Sequence, residues 1–119
     1  MIKPIIYFDL DGVLADFAKG VFTKTGVSIV GPDSFADKKL KDSIFTDPNF
    51  FLGLELLPGA HDMIEFARIF GTVKILSATG YSYESLVARQ KRAWVAEHFG
   101  SDIEVHLVPK SGDKAKFAW

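Results

Sequence analysis

Apolar positions along the chain fall into short unbroken or alternating runs separated by longer periodic ones. Ile5-Ile6-Tyr7-Phe8 has no polar interruption and reads as a short strand buried on both faces. Thr72-Val73-Lys74-Ile75-Leu76 is a second apolar strand, running into Ser77-Ala78-Thr79-Gly80. Ile103 to Val108 alternates apolar and polar residues, as a half-exposed third strand does, with His106 on its polar side. Between them lie helical patterns. Residues 14–25 carry Phe17, Val21 and Phe22 on one face and stop at Gly26. Residues 60–70 place Met63, Phe66, Ala67 and Phe70 at i, i+3, i+4 and i+7, a spacing that predicts a buried face, and Gly71 ends them. Residues 82–99 form the longest pattern, with Val87, Trp94, Val95 and Phe99 inward, Arg89, Lys91 and Arg92 on the solvated side, and Gly100 as the stop. The stretch 27–58 is broken by turn signals at Gly31-Pro32-Asp33-Ser34 and Asp47-Pro48-Asn49. Ser34 or Asp33 stands where it would cap a short helix through the lysine-rich part. Strands alternating with helices predict an α/β fold with a parallel sheet.

Composition narrows the function classes. A chain of 119 residues is one small domain, and its 48% apolar content suffices for a core. Eleven Phe and two Trp are enough to line a pocket as well as a core. A net charge of −1 carries no electrostatic footprint for duplex nucleic acid, whereas a small phosphorylated ligand needs only a local positive site. With no cysteine, disulfides and thiolate metal sites are excluded. The start, Met1-Ile2-Lys3-Pro4, lacks signal-peptide form, and no apolar run approaches membrane-spanning length. The expectation is a cytoplasmic protein with no membrane partner.

The chemistry gathers at strand ends. Asp9 and Asp11 follow the first strand, and Gly12 lets the backbone turn sharply. In open α/β sheets, ligands bind beyond the carboxyl ends of the strands. Two carboxylates that close repel unless a cation or shared proton compensates, and a hard ion such as Mg²⁺ is the natural partner. A carboxylate is also a competent nucleophile toward phosphorus. The competing reading of a bare Asp-x-Asp-Gly is a solvated turn. Ser77 and the amides after it can hold phosphate oxygens without adding charge, or form an ordinary Ser/Thr/Gly loop. Phe50 and Phe51 are core residues or a stacking surface for a base. Lys110, Lys114 and Lys116, three lysines in seven residues, read as a solvated turn.

Asp9-Leu10-Asp11-Gly12-Val13-Leu14-Ala15-Asp16 resembles the first motif of the haloacid dehalogenase (HAD) superfamily of phosphatases. Its continuation to Phe17 is most similar to the 5'(3')-deoxyribonucleotidases. The resemblance implies that Asp9 is the nucleophile and a Mg²⁺ ligand. It makes Asp11 the general acid and base, holding Mg²⁺ through its carbonyl. Phe50-Phe51 upstream of Leu57-Pro58-Gly59-Ala60 resembles an aromatic pair that forms the base pocket in that family, so Phe17, Phe50 and Phe51 are expected to bind substrate. Ser77 matches the second motif, with Ala78 where a second hydroxyl is usual. Lys114 best matches the motif lysine, and Lys110 is the alternative on the substrate side. Lys91-Arg92-Ala93-Trp94-Val95 resembles a basic-aromatic-Val run of the same family and is read as structural, with Trp94 docking the helix. The implied fold is a HAD-like, Rossmann-like three-layer α/β sandwich. Its core comprises residues 1–15 and 59–119, and residues 16–58 form a small helical cap inserted after the first strand.

One element of the resemblance has no counterpart: a further strand ending in an acidic pair, expected near Trp119. Three expectations compete on that account. The chain is a shortened nucleotidase, it takes the strand or metal ligand from a partner, or it binds phosphate with weak catalysis. The leading expectation is a Mg²⁺-dependent phosphomonoesterase acting on deoxyribonucleoside monophosphates. The alternatives are a phosphatase for another small ester or a nucleic-acid end, and a binding or assembly module. An uncovered edge on the first strand would favour a homodimer.

Overall fold

The computed structural model describes residues 3–29, 37–110 and 113. Seven elements follow in order: β1 (Ile5–Phe8), α1 (Phe17–Thr25), α2 (Lys38–Phe45), α3 (Ala60–Phe70), β2 (Thr72–Ala78), α4 (Glu84–Phe99) and β3 (Val105–Val108). The three strands form one parallel sheet in the order β1-β2-β3. Ile5 stands opposite Thr72 and Phe8 opposite Ile75, and the register continues from Ile75 opposite Val105 to Ala78 opposite Val108. The α/β class and the parallel sheet are as the periodicity predicts. No helix among the described residues is long and apolar enough to cross a membrane.

The core is one cluster shared by the sheet and the insertion. Ile75, Val87, Trp94 and Val95 pack with Leu10 and Leu14 from the turn after β1, and with Val21, Ile44, Phe51 and Leu54 from the segment between β1 and α3. Gly20 makes the close approach possible, since a β-carbon there would collide with the Leu54 side chain. The helix boundaries follow local chemistry. Asp16 caps α1 by accepting from Lys19 N–H, and Gly26, at φ 77°, closes it in the left-handed conformation that glycine adopts without strain. The N-cap of α2 is Asp37, which accepts from Lys39 and Leu40. Asp33 and Ser34, the caps expected from sequence, lie outside the described residues.

Three expectations about sidedness need correction. Strand β1 is not buried on both faces: Ile5 is exposed and Ile6, Tyr7 and Phe8 are half-buried, because only β2 flanks it among the described residues. Residues 14–16 are not helical; Val13, Leu14 and Ala15 all direct their N–H groups to the Leu10 carbonyl in a tight turn, and the helix starts at Phe17. In α3 the buried stripe is Ala60, Ile64 and Ala67, whereas Met63, Phe66, Ile69 and Phe70 face outward. Small and β-branched side chains let α3 lie close to β2, and the large ones are left outside.

Candidate active site

Parallel pairing brings the two chemically loaded strand ends together. Because Phe8 pairs with Ile75, the chain leaves β1 at the same end of the sheet where β2 reaches Ser77 and Ala78. Asp9 comes next and is half-buried, its Oδ1 accepting the Leu10 N–H at 2.7 Å. Gly12, at φ 78°, allows the turn that follows, and Gly12 N–H closes on the Ala15 carbonyl at 2.9 Å. Asp16 N–H to Glu55 O and Leu57 N–H to Leu14 O, both 2.8 Å, tie this turn to the end of the insertion.

The group that joins these ends is Lys91. It is not on the solvated side of α4, as expected from its charge, but 2% exposed. Its Nζ donates to Asp11 Oδ2 at 2.9 Å, to Ser77 Oγ at 2.9 Å and to the Ala78 carbonyl at 2.7 Å. An ammonium has three donors, and three acceptors receive them. The face of the Phe51 ring covers the ammonium, with Nζ 5.1 Å from the centroid. A signal for this was present in the sequence. Val87, Gln90, Lys91, Trp94 and Val95 fall at i, i+3, i+4, i+7 and i+8, the buried stripe of α4. A lysine on an apolar stripe requires an anionic partner. Arg89 and Arg92 are exposed, as expected.

Ser77, 1% exposed, therefore accepts from the ammonium and keeps its own hydrogen to give to another acceptor. Ala78 contributes its carbonyl. Thr79 does not take the place of the missing second hydroxyl. It is buried, and its Oγ1 donates to backbone at Gly80 O, 3.0 Å, and Val108 O, 3.4 Å. Lys110 is exposed and sits over the Tyr81 ring, 5.6 Å from its centroid. Lys114 lies outside the described residues.

Phe17, Phe50 and Phe51 are brought together, but mainly against one another. Phe17 meets Phe50 edge-on at 5.7 Å and stacks with Phe51 at 6.1 Å. Phe50 and Phe51 are buried and Phe17 is half-buried. Two side chains of α4 hold this loop. The buried Gln90 amide accepts Phe51 N–H at 2.9 Å and Leu52 N–H at 3.3 Å while donating to Asp47 O at 3.1 Å. Trp94 donates its indole N–H to Leu54 O at 2.8 Å. At the outer end, the Lys24 ammonium and then Asn49 N–H keep the Asp47 carboxyl below its ordinary range. Replacing Gln90 by Leu keeps the volume but strands the buried Phe51 N–H, the half-buried Leu52 N–H and the Asp47 carbonyl. We expect a loss of roughly 2–4 kcal/mol in urea unfolding. An unchanged midpoint would mean that the loop is held by other contacts.

Asp9 and Asp11 offer hard oxygen donors, the type Mg²⁺ takes when one or two carboxylates share it with substrate phosphate and water. Among the described residues, no group of three His, Cys, Asp or Glu side chains comes together. Two carboxylates alone would leave most positions around such an ion to ligand oxygens and water. No family model matches the chain, and no curated protein matches it.

Proposed function

We propose that the chain is a phosphomonoesterase of HAD type, with a nucleotide as its substrate and the cytoplasm as its location. Asp9 attacks phosphorus in line and forms an aspartyl-phosphate. Asp11 gives a proton to the leaving sugar oxygen, then takes one from the water that hydrolyses the acyl phosphate. Ser77 donates to a phosphoryl oxygen, and Lys91 offsets the charge that two carboxylates and a phosphate bring to one place. Mg²⁺, held by Asp9 and Asp11, would neutralise phosphoryl oxygens. The observation that carries this reading is the single buried ammonium bridging Asp11, Ser77 and the end of β2. Lys91 thereby takes the role that the resemblance assigned to Lys114 or Lys110. The packed rings of Phe17, Phe50 and Phe51 wall the site on one side. The test is phosphate release from dUMP and dTMP. Release should require Mg²⁺ and stop with EDTA; no release from either substrate under any divalent ion would overturn the reading.

The same proposal puts a second copy of the chain on the edge of β1 that no strand among the described residues covers. Gly71, at the end of α3, stands against Pro4 and Ile6, so the exposed Phe66, Ile69 and Phe70 and the exposed Ile5 belong to neighbouring surface. An unpaired apolar edge and an apolar helix face can both be covered by a two-fold copy of themselves. Sedimentation should show a dimer that a Phe66→Lys, Ile69→Lys protein no longer forms. A monomer at every concentration would remove the dimer from the proposal.

A further inference from the structure

Lys91 has a neighbour that is not one of its acceptors. The Phe51 ring lies against its ammonium, with Nζ 5.1 Å from the centroid, inside the range of cation–π attraction. Phe51 belongs to the segment between α2 and α3, and Lys91 to α4, so this contact joins the insertion to the strand-end site. The loop carrying Phe51 is held by Gln90, the residue that precedes Lys91 in the chain. Gln90 accepts the N–H of Phe51 at 2.9 Å and of Leu52 at 3.3 Å. One turn of α4 therefore fixes both the ammonium and the ring that covers it.

The ring has little left to offer a ligand. Phe51 is 2% exposed. Phe17 stacks on it, Phe45 meets it at a tilt with centroids 5.6 Å apart, and Phe50 stands edge-on at 5.1 Å. A base that stacked on Phe51 would have to displace one of these rings or the ammonium. A residual void of about 10 Å³ lies among Asp11, Phe51, Lys91 and their apolar neighbours. Such a space is at the lower limit for a single water. A shorter side chain in place of the ring opens room for water beside Nζ and Asp11 Oδ2. Water that enters competes with Asp11, Ser77 and the Ala78 carbonyl for the three ammonium donors. It also raises the local polarity, which weakens the electrostatic effect of the charge.

We infer that Phe51 is a positioning residue, which acts on the reaction through Lys91 and does not bind the base. Held by Gln90, its ring excludes water from the ammonium and keeps the three N–H groups on Asp11, Ser77 and Ala78. This role stands in place of the base-pocket role that the resemblance implies for Phe51. It rests on the phosphatase reading for its effect on turnover, but not for its effect on Lys91.

Two measurements separate the two roles. Phe51→Leu and Phe51→Met keep an apolar side chain and remove the ring face. Each is assayed with Mg²⁺ on dUMP and on 2-deoxyribose 5-phosphate, which carries the same phosphate and no base. On both substrates kcat should fall about tenfold, the scale of one desolvated cation–π contact, with KM within about twofold of wild type. An unchanged kcat, or a loss seen in KM and confined to dUMP, would overturn the assignment. The second measurement reads Lys91 without turnover, by reductive methylation of the folded proteins and mass spectrometry of their peptides. Lys91 should react at least about tenfold faster in either variant than in wild type, as a site opened to water does, while the exposed Lys39 reacts alike in all. Gln90→Leu, which keeps the ring and frees its loop, should open Lys91 in the same way even if the Phe51 variants do not fold. Equal Lys91 rates would overturn the positioning role, whether or not any form releases phosphate. Lys91 opened by the variants, with no phosphate release from wild type, would keep the role of the ring and reject the phosphatase.

Discussion

An Asp9→Asn protein folds as the wild type does and releases phosphate at least about 10⁴-fold more slowly, the scale of loss when a covalent nucleophile is removed. Both halves of this result follow from the geometry. Asp9 Oδ1 accepts the Leu10 N–H, and an asparagine amide oxygen accepts the same bond. Stability should stay level, with a thermal midpoint within about 4 °C of wild type. On the proposed mechanism, what disappears is the atom that attacks phosphorus. A large drop in the midpoint would mean that Asp9 is a structural residue of the turn, and the activity loss would then say nothing of chemistry.

Lys91→Met should fail in the other order, losing stability as well as activity. Methionine fills the same slot under Phe51 but donates nothing. Asp11 Oδ2, Ser77 Oγ and the Ala78 carbonyl each lose a donor at a site where Lys91 itself is only 2% exposed. Removing one partner of a fully buried charged pair costs about 3–5 kcal/mol, and the loss here should lie at or below the lower end, because the Asp11 side chain left behind is 30% exposed. In a domain of this size that is a large share of the roughly 5–15 kcal/mol that keeps it folded. Activity should fall by about 10²–10³, the scale for losing one preorganised group that stabilises transition-state charge. A Lys91→Met, Asp11→Asn protein separates the two effects. Removing the stranded carboxylate charge should restore part of the stability, because the two sites interact directly, and none of the activity. If the double variant were as unstable as the sum of the single ones, the ion pair would not be what Lys91 contributes. Arginine is a poor replacement, since a planar five-donor fork does not fit the three converging acceptors.

What could be read from the sequence was whatever chain neighbours decide. The strand-turn of Ile5 to Gly12, the stop at Gly26, the bounds of α3 and the long α4 follow from periodicity and capping over a few residues. The placement of Asp9 and Asp11 could be read for the same reason, because they are local to one strand end. The side of an element that becomes buried is a tertiary matter, and there the reading failed. In α3, two apolar faces compete, and packing distance to β2 selected Ala60, Ile64 and Ala67 over the larger Phe66 and Phe70. Lys91 is 80 residues from Asp11 in the chain, so nothing local announced the pair. Its charge suggested solvent and its position on the stripe of Val87 and Trp94 suggested burial. The position was the better guide. Phe50 and Phe51 remained divided between core and pocket until Gln90, also on that stripe, fixed their loop against α4.

The central claim is that Asp9 is the nucleophile at a site that Lys91 assembles. Acid-quenching the protein during turnover of dUMP with Mg²⁺, followed by mass spectrometry of its peptides, reads this directly. The account predicts a phosphoryl group on the peptide carrying Asp9, labile to hydroxylamine, and none in the Asp9→Asn protein. Undiminished phosphate release by Asp9→Asn, with no adduct on that peptide in the wild type, would contradict it.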